Sequence, residues 1–393
     1  MRVSDILGRL NSITSRVVDV RLSTASGAFL ESIELADCSA ELWCTLLAAH
    51  ARAAQMAKKA ASEFKDSEEN DRKRAIDGQA TLGAEEVFQD SLEHIVVAAG
   101  EGAGDRMPGA HVGQQLGSEE SKRETLYGIF DYVDGTTLAA RGLDGAVSLG
   151  AIGRKVTSVP DLQVYCLLLP PYARDLDIDL FRGAPEHVGV EDILALYSRW
   201  KDWKVGHEGF RVLTHSVDTG TFHDDLIRAL RGVGGVEVII PHPVIIEPNY
   251  LLSIAGFGKE SIDAMIGVFG FPEMVFACAL FDLFKESGWR MVMRPAGLEA
   301  KSSGVRSRSL MPLLDFTDYE KLQLSAVGLL PDRQYERTDF VSTGSALAAA
   351  VFAVTDNPLL QLGAAVLRDG VWSVEGIMLT RASHVRVIIR MRG

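Results

Sequence analysis

Two aspartates three residues apart stand in the run Asp131-Tyr132-Val133-Asp134-Gly135-Thr136-Thr137. The stretch Leu126 to Phe130 reads as a strand ending at Asp131, and Gly-Thr-Thr reads as the turn that follows. Spacing of three across a turn lets two carboxylates face one point. Hard cations such as Mg2+ take oxygen ligands of this kind and keep water positions open for a phosphate. Gly135 permits close backbone approach, and a helix beginning at Thr136 would turn free N–H groups toward a phosphate oxygen. The plain alternative is a solvated turn with an N-cap, where Asp, Gly and Thr are common.

Three other acids sit at element ends. Glu101 lies between Gly100 and Gly102, just after the strand-like Ile95 to Ala99. It can reach into a cleft, although a surface turn would look the same. Asp77 begins a helical stretch four residues after Lys73 and reads equally as an N-cap. Glu273 follows Phe271-Pro272 and heads a strongly apolar helix, Glu273 to Ser287. A carboxylate there is desolvated and needs a partner, which a metal would supply.

The elements that must position these acids alternate along the chain. A helix is expected from Ala36 to Phe64, a solvated loop from Lys65 to Arg74, and a second helix from Asp77 to Glu93. Ala146 to Gly153 and Val236 to Ile240 read as strands, and His223 to Arg231 as a helix. Val371 to Arg392 alternates as strands do, with Arg386, Arg390 and Arg392 as edge charges that deter aggregation. This alternation predicts a layered α/β or α+β architecture. Residues 1–34 read as a leader of uncertain structure, followed by a metal-site half, 35–160, and a substrate-side half, 161–393, forming one compact unit.

Composition narrows the function classes. The 393 residues are 47% hydrophobic and 24% charged, as in ordinary globular proteins. A net charge of -13 argues against nucleic-acid binding, which needs clustered cations. No uncharged stretch approaches the roughly 20 residues of a membrane span. Cys38, Cys44, Cys166 and Cys278 form no CxxC pair and read as free thiols of a reducing compartment, so a cytoplasmic location is expected. His215, His223 and His242 fit no compact zinc motif, and there is no Gly-x-Ser-x-Gly nucleophile elbow.

Taken together, Lys73-Arg74-Ala75-Ile76-Asp77-Gly78, Gly100-Glu101-Gly102, Asp131 through Gly142, Asp263 through Gly267 to Pro272-Glu273, and Val354-Thr355-Asp356 resemble one family. It is the class II (GlpX-type) fructose-1,6-bisphosphatases, within the lithium-sensitive, inositol monophosphatase-like superfamily. The resemblance runs from about Ala36 to the C-terminus. It implies an αβαβα-type sugar-phosphatase sandwich and a phosphatase that uses Mg2+ or Mn2+. It implies metal ligation by Asp77, Glu101, Asp131, Asp134 and Glu273, a water-orienting Thr136, and Lys73 near the site. Substrate contacts would fall at Gly135, Thr137, Gln163, His223 and Gly270, although Phe269-Gly270-Phe271 also reads as packing and a turn. Water would attack directly, with no phosphoenzyme. A homodimer or homotetramer acting on a small phosphorylated substrate is expected.

The sequence departs from the family where the sugar is held. After Glu101, Ala103-Gly104-Asp105-Arg106-Met107-Pro108 replaces a more acidic run. Asp218-Thr219-Gly220-Thr221-Phe222-His223 keeps a histidine but lacks the family's arginines. Val244-Ile245-Ile246-Glu247-Pro248-Asn249 replaces an Asp-Gly-Asp, and Gln163 stands for a tyrosine, with Tyr165 close by. The metal-holding acids are kept while the bisphosphate clamp is lost, so the expected substrate is a sugar-phosphate or nucleotide-type monoester other than fructose 1,6-bisphosphate. Two alternatives stand beside it. One is a genuine fructose-1,6-bisphosphatase with a clamp rebuilt from Arg106, Arg123 or Arg211. The other is a catalytically silent scaffold.

Overall fold

The computed structural model describes residues 1–102, 108–118, 124–181, 190–203, 209–214, 222–241, 244–284, 288–297 and 316–393. The chain opens with α1 (Val3–Ile13), β1 (Val17–Ser23), β2 (Phe29–Leu30), α2 (Ala40–Glu63) and α3 (Glu69–Gln89). Then come β3 (His94–Gly100), β4 (Gln115–Gly117), β5 (Leu126–Asp134), α4 (Thr136–Arg141), β6 (Val147–Gly153) and β7 (Gln163–Leu169). The middle of the chain forms α5 (Val190–Trp203), β8 (Phe210–Leu213), α6 (Phe222–Arg231), β9 (Val236–Ile239), α7 (Glu247–Ile254), β10 (Ala264–Gly270), α8 (Phe271–Leu283) and β11 (Arg290–Ala296). It closes with α9 (Asp318–Ala326), β12 (Tyr335–Glu336), α10 (Arg337–Phe340), β13 (Ala346–Ala353), β14 (Val366–Arg368), β15 (Val371–Thr380) and β16 (His384–Arg392).

These strands make two sheets. The larger has the order β2-β1-β16-β15-β13-β6-β5-β3-β4, with β14 beside β15. The smaller runs β12-β11-β7-β10-β8-β9. Helices α2 and α3 pack together, and α2 lies against β13, β6 and β15. Helix α8 touches β13, β5 and β6 of the large sheet and β10 and β7 of the small one, so it is sandwiched between them. The small sheet shows its middle position in its alternation. Val164, Cys166 and Leu168 of β7 join the main core, whereas Tyr165, Leu167 and Leu169 join a second core with Ile193, Leu196 and Leu230 of α5 and α6. Period-two side-chain direction assigns the two faces. The layers are thus helix, sheet, helix, sheet, helix.

An apolar helix without a polar face belongs in such a middle layer. All thirteen residues of α8 are buried. Asp282, near its C-terminal end, accepts hydrogen bonds from Gly344 N (2.8 Å) and Ala346 N (2.9 Å) and pairs with Arg381 (3.3 Å). That fixes α8 to the start of β13.

The structure corrects three local expectations. Residues 69–74 are the first turns of α3 and not a loop. Acids in that turn and a Lys73–Glu69 pair at 3.1 Å stabilise a helix start that has no apolar stripe. Part of the uncertain leader is helical: α1 buries Ile6, Leu10 and Ile13, and β1 then pairs with β16. Because β16 lies between β1 and β15, Arg386 is not an edge charge. It donates to the carbonyls of Leu360 (2.7 Å) and Phe257 (2.9 Å). All four cysteines are buried and free.

Beneath β5, His50 of α2 lies wholly buried against Phe130 and Tyr132, its Nδ1 2.9 Å from Ser148 Oγ. Burial pushes its pKa down to about 3, so the ring is neutral. Gly150 leaves the room for it: a Cβ there would overlap His50 Nε2 and approach Phe130 Cδ1 to 2.6 Å. Gly150→Ala is expected to lower unfolding free energy by about 1–3 kcal/mol in denaturant titration; an unchanged midpoint would refute this packing account.

Candidate active site

The site forms where β3 and β5 end together. They are parallel neighbours, and Gly100 is in register with Phe130, which sets Glu101 level with Asp131. Gly102 donates to Ala110 O at 2.8 Å, folding the chain back over the strand end. A side chain at Gly102 would strike the Gly109 carbonyl, so the tight return needs glycine there. The β5–β6 pairing shifts register between Asp131 and Asp134, and Val133 N donates to Asp131 Oδ1 at 2.9 Å. The break lets both aspartates serve one side of the strand.

Three further segments close on this edge. Helix α3 brings Asp77, whose Oδ1 accepts the Thr136 hydroxyl at 2.7 Å. Arg72 donates to Ala140 O at 2.6 Å and Arg141 holds Glu69 at 3.1 Å, so α3 and α4 are tied together beside that contact. Helix α8 brings Glu273 in its first turn, with Phe271 N bonded to Leu162 O at 2.9 Å. Gly270 is in register with Gln163, and a Cβ at 270 would occupy the Glu273 carboxylate. The segment entering α7 lays Ile246 over Gly135, whose φ of +87° and close approach both exclude a side chain.

The result is a cavity of about 320 Å3 lined by Lys73, Asp77, Glu101, Asp131, Asp134, Gly135, Thr136, Thr137 and the apolar Val244, Ile245 and Ile246. Oxygens of Glu101, Asp131 and Glu273 lie within 4.8 Å of one another. Glu273 Oε1 and Oε2, Asp131 Oδ2 and Asp134 Oδ2 are buried and meet no donor among the described residues. A carboxylate set with orphaned buried oxygens at this separation fits a divalent cation.

Its electrostatics point the same way. Burial pushes the Asp131 carboxyl well above the usual range, with the charges of Glu101, Asp77 and Asp161 adding to the shift and the Val133 N–H opposing it. Asp134 is raised by burial, then by Asp131, Glu247 and Glu101. Glu273 is raised by burial and by Asp134, Asp131 and Glu247, and Glu101 lies near enough to share a proton with it, which offsets part of the rise. Sequence reasoning missed two of these acids. Glu247 is 5% exposed in the first turn of α7, and its only signal was an acid ahead of Pro248 after three apolar residues. Asp161 gave none, since its place depends on how the chain crosses between sheets.

Other expected residues lie apart. Gln163 and Gly270 pair across strands outside the cavity lining. Tyr165 is buried in the second core and faces away. Arg211 is held by Glu237 (3.2 Å), Ser261 O (2.7 Å) and Glu260 (3.5 Å) on the small sheet, and is not among the cavity residues. Residues 103–107, Arg123, His215, Asp218 to Thr221 and His242 lie outside the described residues, as do the side chains of Phe222 and His223.

These raised carboxyls fix a sign for stability. Below about pH 4 both folded and unfolded chains hold their carboxyl protons, and the groups contribute no pH dependence. Above it the unfolded chain releases protons that the folded carboxyls keep, so stability falls as pH rises until the raised folded values are passed. The chelator-treated protein should therefore melt lower on going from about pH 5 to about pH 8, and Mn2+ should restore more at the higher pH. A flat profile in scanning fluorimetry would contradict the clustered, desolvated arrangement.

The family model for bacterial fructose-1,6-bisphosphatase, glpX-encoded, matches residues 46–392. No curated protein matches. The matched span contains every acid of the cavity and both sheets except β1 and β2. The chain belongs to the glpX-encoded, class II fructose-1,6-bisphosphatase family of phosphatases.

Proposed function

We propose that the chain is a divalent-metal-dependent phosphomonoesterase acting on a phosphate monoester other than fructose 1,6-bisphosphate. The observation that carries the chemistry is the oxygen cluster made by the exposed Glu101 with the buried Asp131 and Glu273. Asp131, Asp134, Glu101, Glu273 and Asp77 would hold Mg2+ or Mn2+, which when bound would neutralise the phosphoryl charge and acidify an attacking water. Thr136 orients that water. Its hydroxyl has two acceptors, Asp77 Oδ1 at 2.7 Å and Val133 O at 3.0 Å; donation to the nearer Asp77 leaves an oxygen lone pair to accept from water. As the water oxygen bonds to phosphorus, its proton passes to Thr136 Oγ1 and the Thr136 proton to Asp77. The ester P–O bond breaks, the leaving alkoxide takes a proton from a solvent water to become the alcohol, and Asp77 gives its proton to the hydroxide so formed. Lys73 lines the cavity beside Glu69 and adds positive charge near the phosphate. Gly135 and Thr137 contact the substrate phosphate.

The changed substrate rests on the wall formed by Val244, Ile245 and Ile246. Apolar side chains cannot hold sugar hydroxyls or a second phosphate, but they favour an apolar body on the leaving alcohol. Arg211 is engaged elsewhere and gives no support to a rebuilt clamp. The described residues include no helix long and apolar enough to cross a membrane, which accords with a cytoplasmic enzyme. A homodimer or homotetramer is part of this reading.

In a Mn2+-supplemented phosphate-release screen, monoesters with apolar or nucleoside leaving groups should exceed fructose 1,6-bisphosphate in kcat/KM. Fructose 1,6-bisphosphate as the best substrate would instead establish the ordinary family activity. Asp131→Asn should reduce phosphate release at least about a hundredfold while the circular dichroism spectrum stays native. Full activity in that variant would sink the assignment of Asp131. Calorimetry showing no Mg2+ or Mn2+ binding to the parent protein would favour a silent scaffold.

A further inference from the structure

Away from the acidic centre, a cavity of about 660 Å3 lies between α2 and the β14–β15 hairpin. Its wall combines Arg16, Arg52, Lys58 and Lys59 with Met56 and Leu367. A smaller cavity of about 330 Å3 shares Arg16 and Arg52 with it, so the two guanidiniums stand between two open spaces. Glu63 also lines the cavity, so four cationic side chains face one acidic one in a chain of net charge -13.

The arginines are undercompensated. The Arg52 side chain is 9% exposed, and its Nε is buried without a hydrogen-bond partner. Nη1 donates to Gln55 Oε1 at 2.9 Å, and Nη2 lies 3.5 Å from Glu86 Oε2. The same Glu86 oxygen is 4.0 Å from Arg16 Nη2, and the Glu86 side chain is 58% exposed. One solvated carboxylate therefore serves two guanidiniums, one of them buried. Desolvation and the Arg16 charge both act against the Arg52 cation. Burying a guanidinium with so few partners costs stability, and an anion bound beside it would offset that cost. Lys59 is itself paired with Glu63 at 3.8 Å, so the arginines are the anchor.

The same cavity has an apolar part. Val366 and Leu367 are 36% and 53% exposed on the short strand β14, next to the largely buried Trp372. A volume of this size suits a small molecule and is within the range of about 300–1,000 Å3 for such sites. We propose that the cavity binds a small amphipathic anion, with a phosphate or carboxylate head on Arg16 and Arg52 and a short apolar chain against Met56, Val366 and Leu367.

Isothermal titration of the full chain with hexylphosphonate, hexanoate and methylphosphonate tests this. Neither phosphonate has an ester bond to hydrolyse, and any binding at the acidic centre is common to all the variants used. One hexyl probe should bind the parent protein and lose about tenfold or more in affinity in Arg52→Gln. The tighter of the two hexyl probes identifies the head group. Leu367→Asp should weaken the hexyl probes and leave methylphosphonate unchanged. If Arg52→Gln does not fold, Arg16→Gln, whose side chain is 40% exposed, should show the same loss. Absence of hexyl-probe binding to the parent protein, or equal affinities in parent and variants, would overturn the proposal.

Discussion

Mutual repulsion among desolvated carboxylates is the constraint around which this fold is arranged. Asp131, Asp134 and Glu273 are held in a space where burial already disfavours charge; Asp131 raises Asp134 further, and both raise Glu273. Left alone, such a cluster would push its strands and helices apart. The surrounding structure resists at every contributing element. Arg72 and Arg141 tie α3 to α4, Asp282 ties α8 to β13, and the tail motif fastens the turn before β6. In that motif Thr355 Oγ1 accepts from Ala146 N at 3.0 Å, and Asp356 O accepts from Gly145 N at 2.8 Å. Segments far apart in sequence are thereby held against one local repulsion.

Much of this was legible in the sequence because it was written as motifs at element ends. Glu101, Asp131, Asp134 and Glu273 each follow or head a periodic stretch, Asp77 lies inside α3 and not at the expected helix start, and the structure brings the five together. The layered architecture was likewise readable, since an uninterrupted apolar stretch such as Met274 to Phe281 belongs in a middle layer. What escaped was non-local or lacked hydrophobic period. Residues 69–74 gave no apolar stripe, so a helix start stabilised by charge read as a loop. Arg386 looked like an edge charge because strand order in a sheet is not encoded by alternation. Asp161 and Glu247 came into view only once the crossing between sheets and the entry to α7 were placed. Tyr165 lies on the same face of β7 as Gln163, and that face packs into the second core, a placement fixed only by the middle position of the small sheet.

Glycines mark where backbone approach was the deciding need. Gly102 takes the return of the chain over a strand end, Gly135 lies under Ile246, and Gly270 leaves space for the Glu273 carboxylate. The Gly150 vacancy works one layer deeper, since it admits His50 behind the strand that carries Asp131 and Asp134. Each is a place where one methyl group would displace a catalytic candidate or its support.

The wall of Val244, Ile245 and Ile246 belongs to a single short entry into α7, whereas the carboxylates come from α3, the ends of β3 and β5, and α8. Under the proposed function, recognition and chemistry are therefore carried on separate stretches of chain. A lineage could trade one leaving alcohol for another through three adjacent codons and leave the acids in place. That freedom ends abruptly at the next position: the charge of Glu247 already pushes the Asp134 and Glu273 carboxyls upward, so drift past the wall would alter their ionisation.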